Sequence, residues 1–272
     1  MNKGVEILRS LLKKIDIIFN GYLSAIVYLV RDVLFNRHGC DNISLKVFLD
    51  PDTYWLYKNK GERMDANNCL CGLESRRLFH KDRYSFAASK LIDLGCNEGL
   101  IIDSACGTGY GTRLLSDSIG AKVSGLDIDP RAVVYAKNKY ISDNTSFNVG
   151  DLLDKNLFEN SSVDYFVSFE TIEHVPDPIQ ILENISEWLK SNGVLIISTP
   201  NNWGLTPFHF FDYDYDSFIE HLSMFFRVES MYSQNSGAMD FPTNHGMPRQ
   251  IVESEKSNIE TAEILIAICR KI

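Results

Sequence analysis

From residue 100 onward the chain alternates short apolar runs with amphipathic segments, and that alternation limits its fold more than any other feature. Strands are read at 100–105 (LIIDSA), 121–127 (AKVSGLD), 145–149 (TSFNV), 163–169 (VDYFVSF) and 194–199 (VLIIST). Helices are read at 110–119, 131–141 and 178–190, the last carrying Ile181, Ile185 and Trp188 near one stripe and ending at Gly193. Repeated strand–helix units of this length predict an α/β architecture, a parallel sheet covered on both faces. A further helix at about 214–225 precedes two apolar runs, 226–232 and 262–269, which can close the sheet as an antiparallel pair. Between those runs lies a long loop, 235–261, of a length that is usually functional when it has no structure of its own.

Length and charge narrow the function. A chain of 272 residues, 44% hydrophobic, supports one enlarged domain or one domain with an appendage. The net charge of −9 argues against a nucleic-acid partner. Residues 1–40 run against that average, with six basic side chains and three acidic ones. Residues 5–35 recur at helical spacing, so 1–60 is read as an amphipathic helical extension and 61–272 as the main domain. The uncharged stretch between Asp16 and Arg31 is too short to cross a bilayer. It suits either the plane of a membrane surface, giving peripheral contact through residues 1–40, or packing on the main domain or a second subunit. Six sparse cysteines and no signal-peptide pattern place the chain in a reducing cytoplasm, with the inner membrane face as the place of any peripheral contact. His38, Cys40, Cys69 and Cys71 lack the spacing of a zinc site, and no metal is expected.

Two stretches compete to be a nucleotide loop, LIDLGCNEG at 91–99 and IIDSACGTG at 101–109. Such a loop needs strand, glycine turn, helix and strand, with an acid about 20 residues beyond the glycines. Asp127 meets that requirement from Gly107 and not from Gly95. The first stretch is therefore read as the end of a helix over Tyr84–Leu94 with a glycine cap. The second reads Gly107-Thr-Gly109-Tyr-Gly111, and Thr112 stands where a dinucleotide fingerprint would place its last glycine.

The stretches IIDSACGTGYG (101–111), VSGLDIDP (123–130), FNVGDLLD (147–154), VSFETIEHVPDP (167–178) and LKSNGVLIISTPN (189–201) resemble a class I S-adenosylmethionine-dependent methyltransferase. The resemblance implies a Rossmann-like seven-stranded mixed sheet, mostly parallel with an antiparallel last strand, and S-adenosylmethionine as cofactor. It implies that Asp103 and Gly107 to Gly109 surround the methionine tail, that Ala105 and Cys106 also line the cofactor, and that Asp127 accepts the ribose hydroxyls. Ile128 would pack on adenine, Asp151 and Leu152 would meet its amino edge, and Glu170 would lie beneath the sulfonium. A turn or cap role is the competing reading of Asp127 and Asp151, and for Cys106 a packing role is preferred to a nucleophilic one. Upstream, GERM (61–64) and HKDRYSFA (80–87) resemble a bacterial branch found among cell-surface polysaccharide genes. In that branch Glu62, Arg63, Arg83 and Tyr84 would close over the cofactor's carboxylate, an Arg suiting it through its forked donors, with a surface Arg on a helix as the competing reading.

Methyl transfer to a sugar hydroxyl needs a base as the bond forms. His174, following the fourth strand in Glu170-Thr-Ile-Glu173-His174, and His209, in TPFHFFDYD, are the candidates, His245 a weaker one. A structural histidine bonded to Glu170 or to a backbone carbonyl is the alternative for His174, and a structural role is the preferred reading of His209. Phe208, Phe210, Phe211, Tyr213 and Tyr215 could form a stacking wall or belong to the core. Phe169-Glu170-Thr171-Ile172 stands where amine-directed base methylases carry an Asn/Asp-Pro-Pro-aromatic run. The expected acceptor is an oxygen of a small molecule, most of all a saccharide or saccharide-linked intermediate. A small aromatic or quinone-type ring is the rival acceptor, and a non-catalytic nucleotide-binding protein of the same fold is the rival class.

Overall fold

The computed structural model describes residues 52, 55–56, 64–68, 74–96, 98–205, 208–237, 247–256, 259 and 261–272. The expected extension over 1–60, the pair Glu62 and Arg63, and His245 lie outside them, apart from residues 52, 55 and 56. The chain divides into two compact units, Met1–Arg77 and Leu78–Ile272. In the first, residues 52, 55 and 56 are helical and a turn is closed by the Asn68 amide on the Asp65 carbonyl.

The second unit is built on one eight-stranded sheet of order β3-β2-β1-β4-β5-β8-β6-β7. Its strands are β1 (Ile101–Ser104), β2 (Val123–Asp127), β3 (Thr145–Val149), β4 (Val163–Phe169), β5 (Leu189–Pro200), β6 (Phe226–Asn235), β7 (Gln250–Glu253) and β8 (Ile264–Lys271). The first five are parallel, and β8 runs antiparallel between β5 and β6 as the expected closing pair. The sheet has eight strands where seven were expected, and the difference is β7, inside the segment read as a loop. Its four residues, Gln-Ile-Val-Glu, are half-buried or exposed, so no strong alternation marks them. Pairing with β6 and the two-pronged ion pair of Arg249 with Asp82 make the strand.

The helices are α1 (Glu74–Asp93), α2 (Tyr110–Ile119), α3 (Pro130–Tyr140), α4 (Pro178–Trp188) and α5 (Tyr215–Ser223). Their starts are written locally. Asp129-Pro130 and Asp177-Pro178 each supply a side-chain cap followed by proline at the first helical position. Asp214 and Ser217 form a reciprocal capping box at α5. α1 ends at Gly95, left-handed at φ 80°, with Cys96 N–H reaching back to the Leu91 carbonyl at 2.8 Å. The stretch LIDLGCNEG is thus a helix end, as expected. α4 stops at Trp188, two residues before the expected end, because Leu189 is already paired with Val163 in the sheet.

Ile181, Leu182, Ile185 and Trp188 of α4 pack on the sheet, Trp188 stacked on Phe166 with centroids 6.3 Å apart. The chain leaves β1 toward β2 and β3, then returns to place β4 on the other flank of β1. That reversal opens a crevice at the carboxyl ends of β1 and β4, where ligands of open α/β sheets bind.

Candidate active site

The turn after β1 is bent by left-handed residues: Ala105 at φ 50°, Gly107 at 55° and Gly109 at 85°. A Cβ on Gly109 would lie 2.6 Å from the Ala136 side chain and 2.7 Å from the Phe147 ring, so only glycine lets α2 begin there. A Cβ on Gly111 would enter the Tyr84 ring, so the third glycine admits an aromatic side chain rather than a ligand. Gly107 N–H donates to Asp127 Oδ2 at 2.8 Å and Cys106 N–H to the Leu126 carbonyl at 2.9 Å, tying the turn to the end of β2. The other Asp127 oxygen accepts from Asp129 N–H at 2.9 Å. The turn role weighed for Asp127 is therefore present, and the carboxylate is held at the mouth of the glycine turn.

Asp103 is fully buried on β1, its two oxygens accepting from the Thr112 hydroxyl (2.6 Å) and the Tyr84 hydroxyl (3.3 Å). Burial pushes its pKa up to about 7 despite those donors. Tyr84 lies beneath the turn, edge-on to Tyr110 and Phe169, and its phenol is raised well above the usual value by burial. Cys106 packs with Val133, Ala136 and Phe147, in agreement with a packing role. Ile128, directly after Asp127, is 63% exposed. Asp151 closes an Asx turn by accepting from Leu153 N–H at 2.9 Å. Leu152 packs in the core, and its carbonyl accepts from Asn184.

Across the crevice Glu170 ends β4 at φ 49°. Its Oε1 accepts from the Ser198 hydroxyl at 2.9 Å and pairs with Arg83 Nη1 at 2.6 Å. Arg83, only 1% exposed, also donates to Gln234 from Nε, and its Nη2 is buried with no hydrogen-bond partner. Arg83 thus answers a carboxylate of the protein through one nitrogen and keeps another to spare. Ser198 and Gln234 were missed at the level of sequence, since no local pattern joins them to Arg83.

Beyond Glu170 a 3-10 turn, Ile172–His174, carries the candidate base. His174 Nδ1 lies 2.9 Å from the Phe208 carbonyl, which can only accept, so Nδ1 is the donor and, in the neutral ring, Nε2 carries the lone pair. The backbone-carbonyl alternative weighed for His174 is what the structure contains, and it sets the tautomer that leaves Nε2 basic. The His174 and His209 rings meet edge to face, centroids 4.7 Å apart. Glu173, 1% exposed, has Oε1 at 3.6 Å from His174 Nε2 and otherwise without a hydrogen-bond partner. Burial and then the Glu170 charge raise its pKa well above the carboxylate range. Glu173 was not singled out in the sequence, though a carboxylate immediately before the candidate histidine is a signal. Its carbonyl accepts from the Phe210 and Phe211 amides at 2.7 and 3.3 Å, which fastens the aromatic segment to the turn. Phe208 and Phe210 are exposed, whereas Tyr213 is core, so the five-residue stacking wall is reduced to those two at the rim.

Residues 86–236, over half of the chain, match the model of a methyltransferase domain. The chain belongs to that family. A "Probable S-adenosylmethionine-dependent methyltransferase" of Mycolicibacterium smegmatis is 33% identical over 107 residues, covering 39% of this chain and 40% of the relative. A "Ubiquinone biosynthesis O-methyltransferase" of Glaesserella parasuis serovar 5 is 29% identical over 118 residues, covering 41% and 45%. The chain thus spans less than half the length of these relatives. The fold is shared with the N-methyltransferase NodS of Bradyrhizobium japonicum WM9, solved with S-adenosyl-L-homocysteine, at a TM-score of 0.51, 17% identity, and 71% and 87% coverage.

S-adenosylmethionine is the cofactor of this methyltransferase domain, and the residues present fit it. A Cβ added to Gly107 would meet nothing within 4 Å, so open space lies over the turn beside the Asp127 carboxylate. Beside it the exposed apolar Ile128 suits the face of a base, and the buried Asp103 carboxyl suits a cationic amine. The cofactor supplies an electrophilic methyl group on a sulfonium.

Proposed function

We propose that the chain transfers a methyl group from S-adenosylmethionine to an oxygen of a saccharide or saccharide-linked intermediate. The observation that supports this reading is the contact of His174 Nδ1 with the Phe208 carbonyl, which would leave Nε2 of the neutral ring as the base. A hydroxyl with a high pKa needs such a group while its oxygen becomes nucleophilic; an acceptor already ionised does not. The exposed rings of Phe208 and Phe210 at that rim suit the apolar face of a sugar. In this reading Asp127 and Asp103 hold the cofactor's ribose and amine, Ile128 and the Asp151–Leu152 turn bound its base, and Arg83 with Glu170 braces the floor. The basic segment 1–40 would bring the enzyme to an anionic membrane surface that presents a lipid-linked acceptor. Among the described residues no helix is long and apolar enough to cross a membrane.

The same rings suit an aromatic acceptor, and the similarity to a ubiquinone biosynthesis O-methyltransferase favours that second reading. Labelled methyl transfer into a panel of nucleotide sugars and catechols separates the two: label in sugars supports the first, label in catechols alone overturns it. Calorimetry with S-adenosylhomocysteine tests what both share, and absence of binding at millimolar ligand would overturn both.

A further inference from the structure

We propose that Glu173, His174 and His209 form a binding site for a divalent transition-metal cation of the zinc class at the acceptor rim. One donor atom from each residue lies within 4.8 Å of the other two. Donors around a single zinc ion sit roughly 3.3 Å apart given bond lengths of about 2.1 Å. Ligation requires the donors to draw together by up to roughly 1.5 Å.

Three independent observations point to a cation. Glu173 is almost wholly buried, yet its Oε1 has no hydrogen-bond donor and faces His174 Nε2 at 3.6 Å. A buried carboxyl oxygen in that state stays unsatisfied until a proton or a cation meets it. His174 donates from Nδ1 to a backbone carbonyl, the outer bond that orients a metal-ligating imidazole and presents Nε2. The segment carrying His209 is pinned to the turn carrying the other two donors by the amides of Phe210 and Phe211 on the Glu173 carbonyl. Glu170 lies outside the donor set because Arg83 and Ser198 hold its Oε1.

Two imidazoles and one carboxylate select zinc, cobalt, iron or manganese over magnesium, which prefers oxygen and water. Three protein donors leave a coordination position open. The use of that position rests on the oxygen-transfer reading; the site itself does not. There the ion lowers the pKa of the acceptor hydroxyl, whose proton leaves to water. The hydroxyl oxygen forms the new bond to carbon, and sulfur keeps the electron pair of the bond that breaks. His174 Nε2 then serves as a ligand, and its basic role passes to the ion.

The test is titration of tag-free, chelator-treated protein with Co2+, read by visible absorption, followed by displacement with Zn2+. One Co2+ per chain is expected, with affinity weakened by more than about tenfold in Glu173→Gln and His209→Ala, as for loss of a metal-site contact. His221→Ala is the control: His221 bonds the Tyr213 hydroxyl outside the cluster, so cobalt binding should persist. Far-UV circular dichroism on the same samples reports folding, and S-adenosylhomocysteine calorimetry reports the cofactor site. Cobalt absorption absent in protein that binds S-adenosylhomocysteine overturns the site, as does binding unchanged in both variants. Cobalt binding in protein that does not bind S-adenosylhomocysteine upholds the site and overturns the transfer reading.

Discussion

The two sides of the crevice are built differently. On the side of β1 and β2, Asp103 and Asp127 have both carboxylate oxygens satisfied by nearby donors, and the glycine turn is tied down by backbone amides. On the side of β4 and β5, Glu170 is held in a left-handed conformation, Glu173 Oε1 and Arg83 Nη2 are buried without a hydrogen-bond partner, and Phe208 and Phe210 stand in solvent. A satisfied, rigid cradle suits a ligand of constant shape. Groups left short of partners suit a reaction in which charge changes, because their cost is recovered only when a substrate or ion arrives.

Substitutions on the two sides should therefore fail in different ways. The largest effect is expected on the β4 side: His174→Ala should lower turnover by about 10²–10⁴-fold. Calorimetry should show S-adenosylhomocysteine affinity unchanged, and an equal loss of affinity would erase the contrast. Next, Gly109→Ala puts a methyl against Ala136 and Phe147 and forces left-handed backbone on alanine, for about 1–3 kcal/mol of overpacking. Denaturant unfolding should record that loss and calorimetry a weaker cofactor site. Asp127→Ala should weaken S-adenosylhomocysteine binding by about 1.5–3 kcal/mol, as for lost hydrogen bonds to a charged group. Unchanged affinity would remove its ribose role.

The smallest effect concerns pH. Asp103 has a folded pKa raised from 3.8 to about 7, so the folded state holds its proton more tightly than the unfolded chain does. The stability this gives is fully present below the unfolded value and is lost as pH rises from about 4 through about 7. The ligand-free melting temperature should carry a downward component across that window, and Asp103→Asn should remove it. Affinity for S-adenosylhomocysteine, whose ammonium needs the ionised carboxyl, should strengthen as pH rises through the same range. A variant with the same pH slope as the parent would move the effect elsewhere.

Legibility in the sequence followed the same divide. The glycine turn, the acid 20 positions beyond it, the Asp-Pro helix starts and the five parallel strands were read from neighbours along the chain. Glycine at 107 and 109 was read as part of a turn, and both take left-handed backbone there, whereas at 111 its cause is the Tyr84 ring from α1. The Arg83–Gln234 bond went unread, and β7 emerged from a segment with too weak an alternation to be seen. Each miss depends on a partner that is distant in the chain.

The sequence by itself determined the order of elements, the β1 turn and the position of Asp127, because caps, left-handed glycines and strand periodicity act over a few residues. Tertiary structure alone decided which nitrogen of His174 is basic, that Glu173 is buried beside it, and that Arg83 binds Gln234 across 151 positions. Burial and hydrogen-bond partnership depend on which segments the sheet order brings side by side, and no local pattern carries that order.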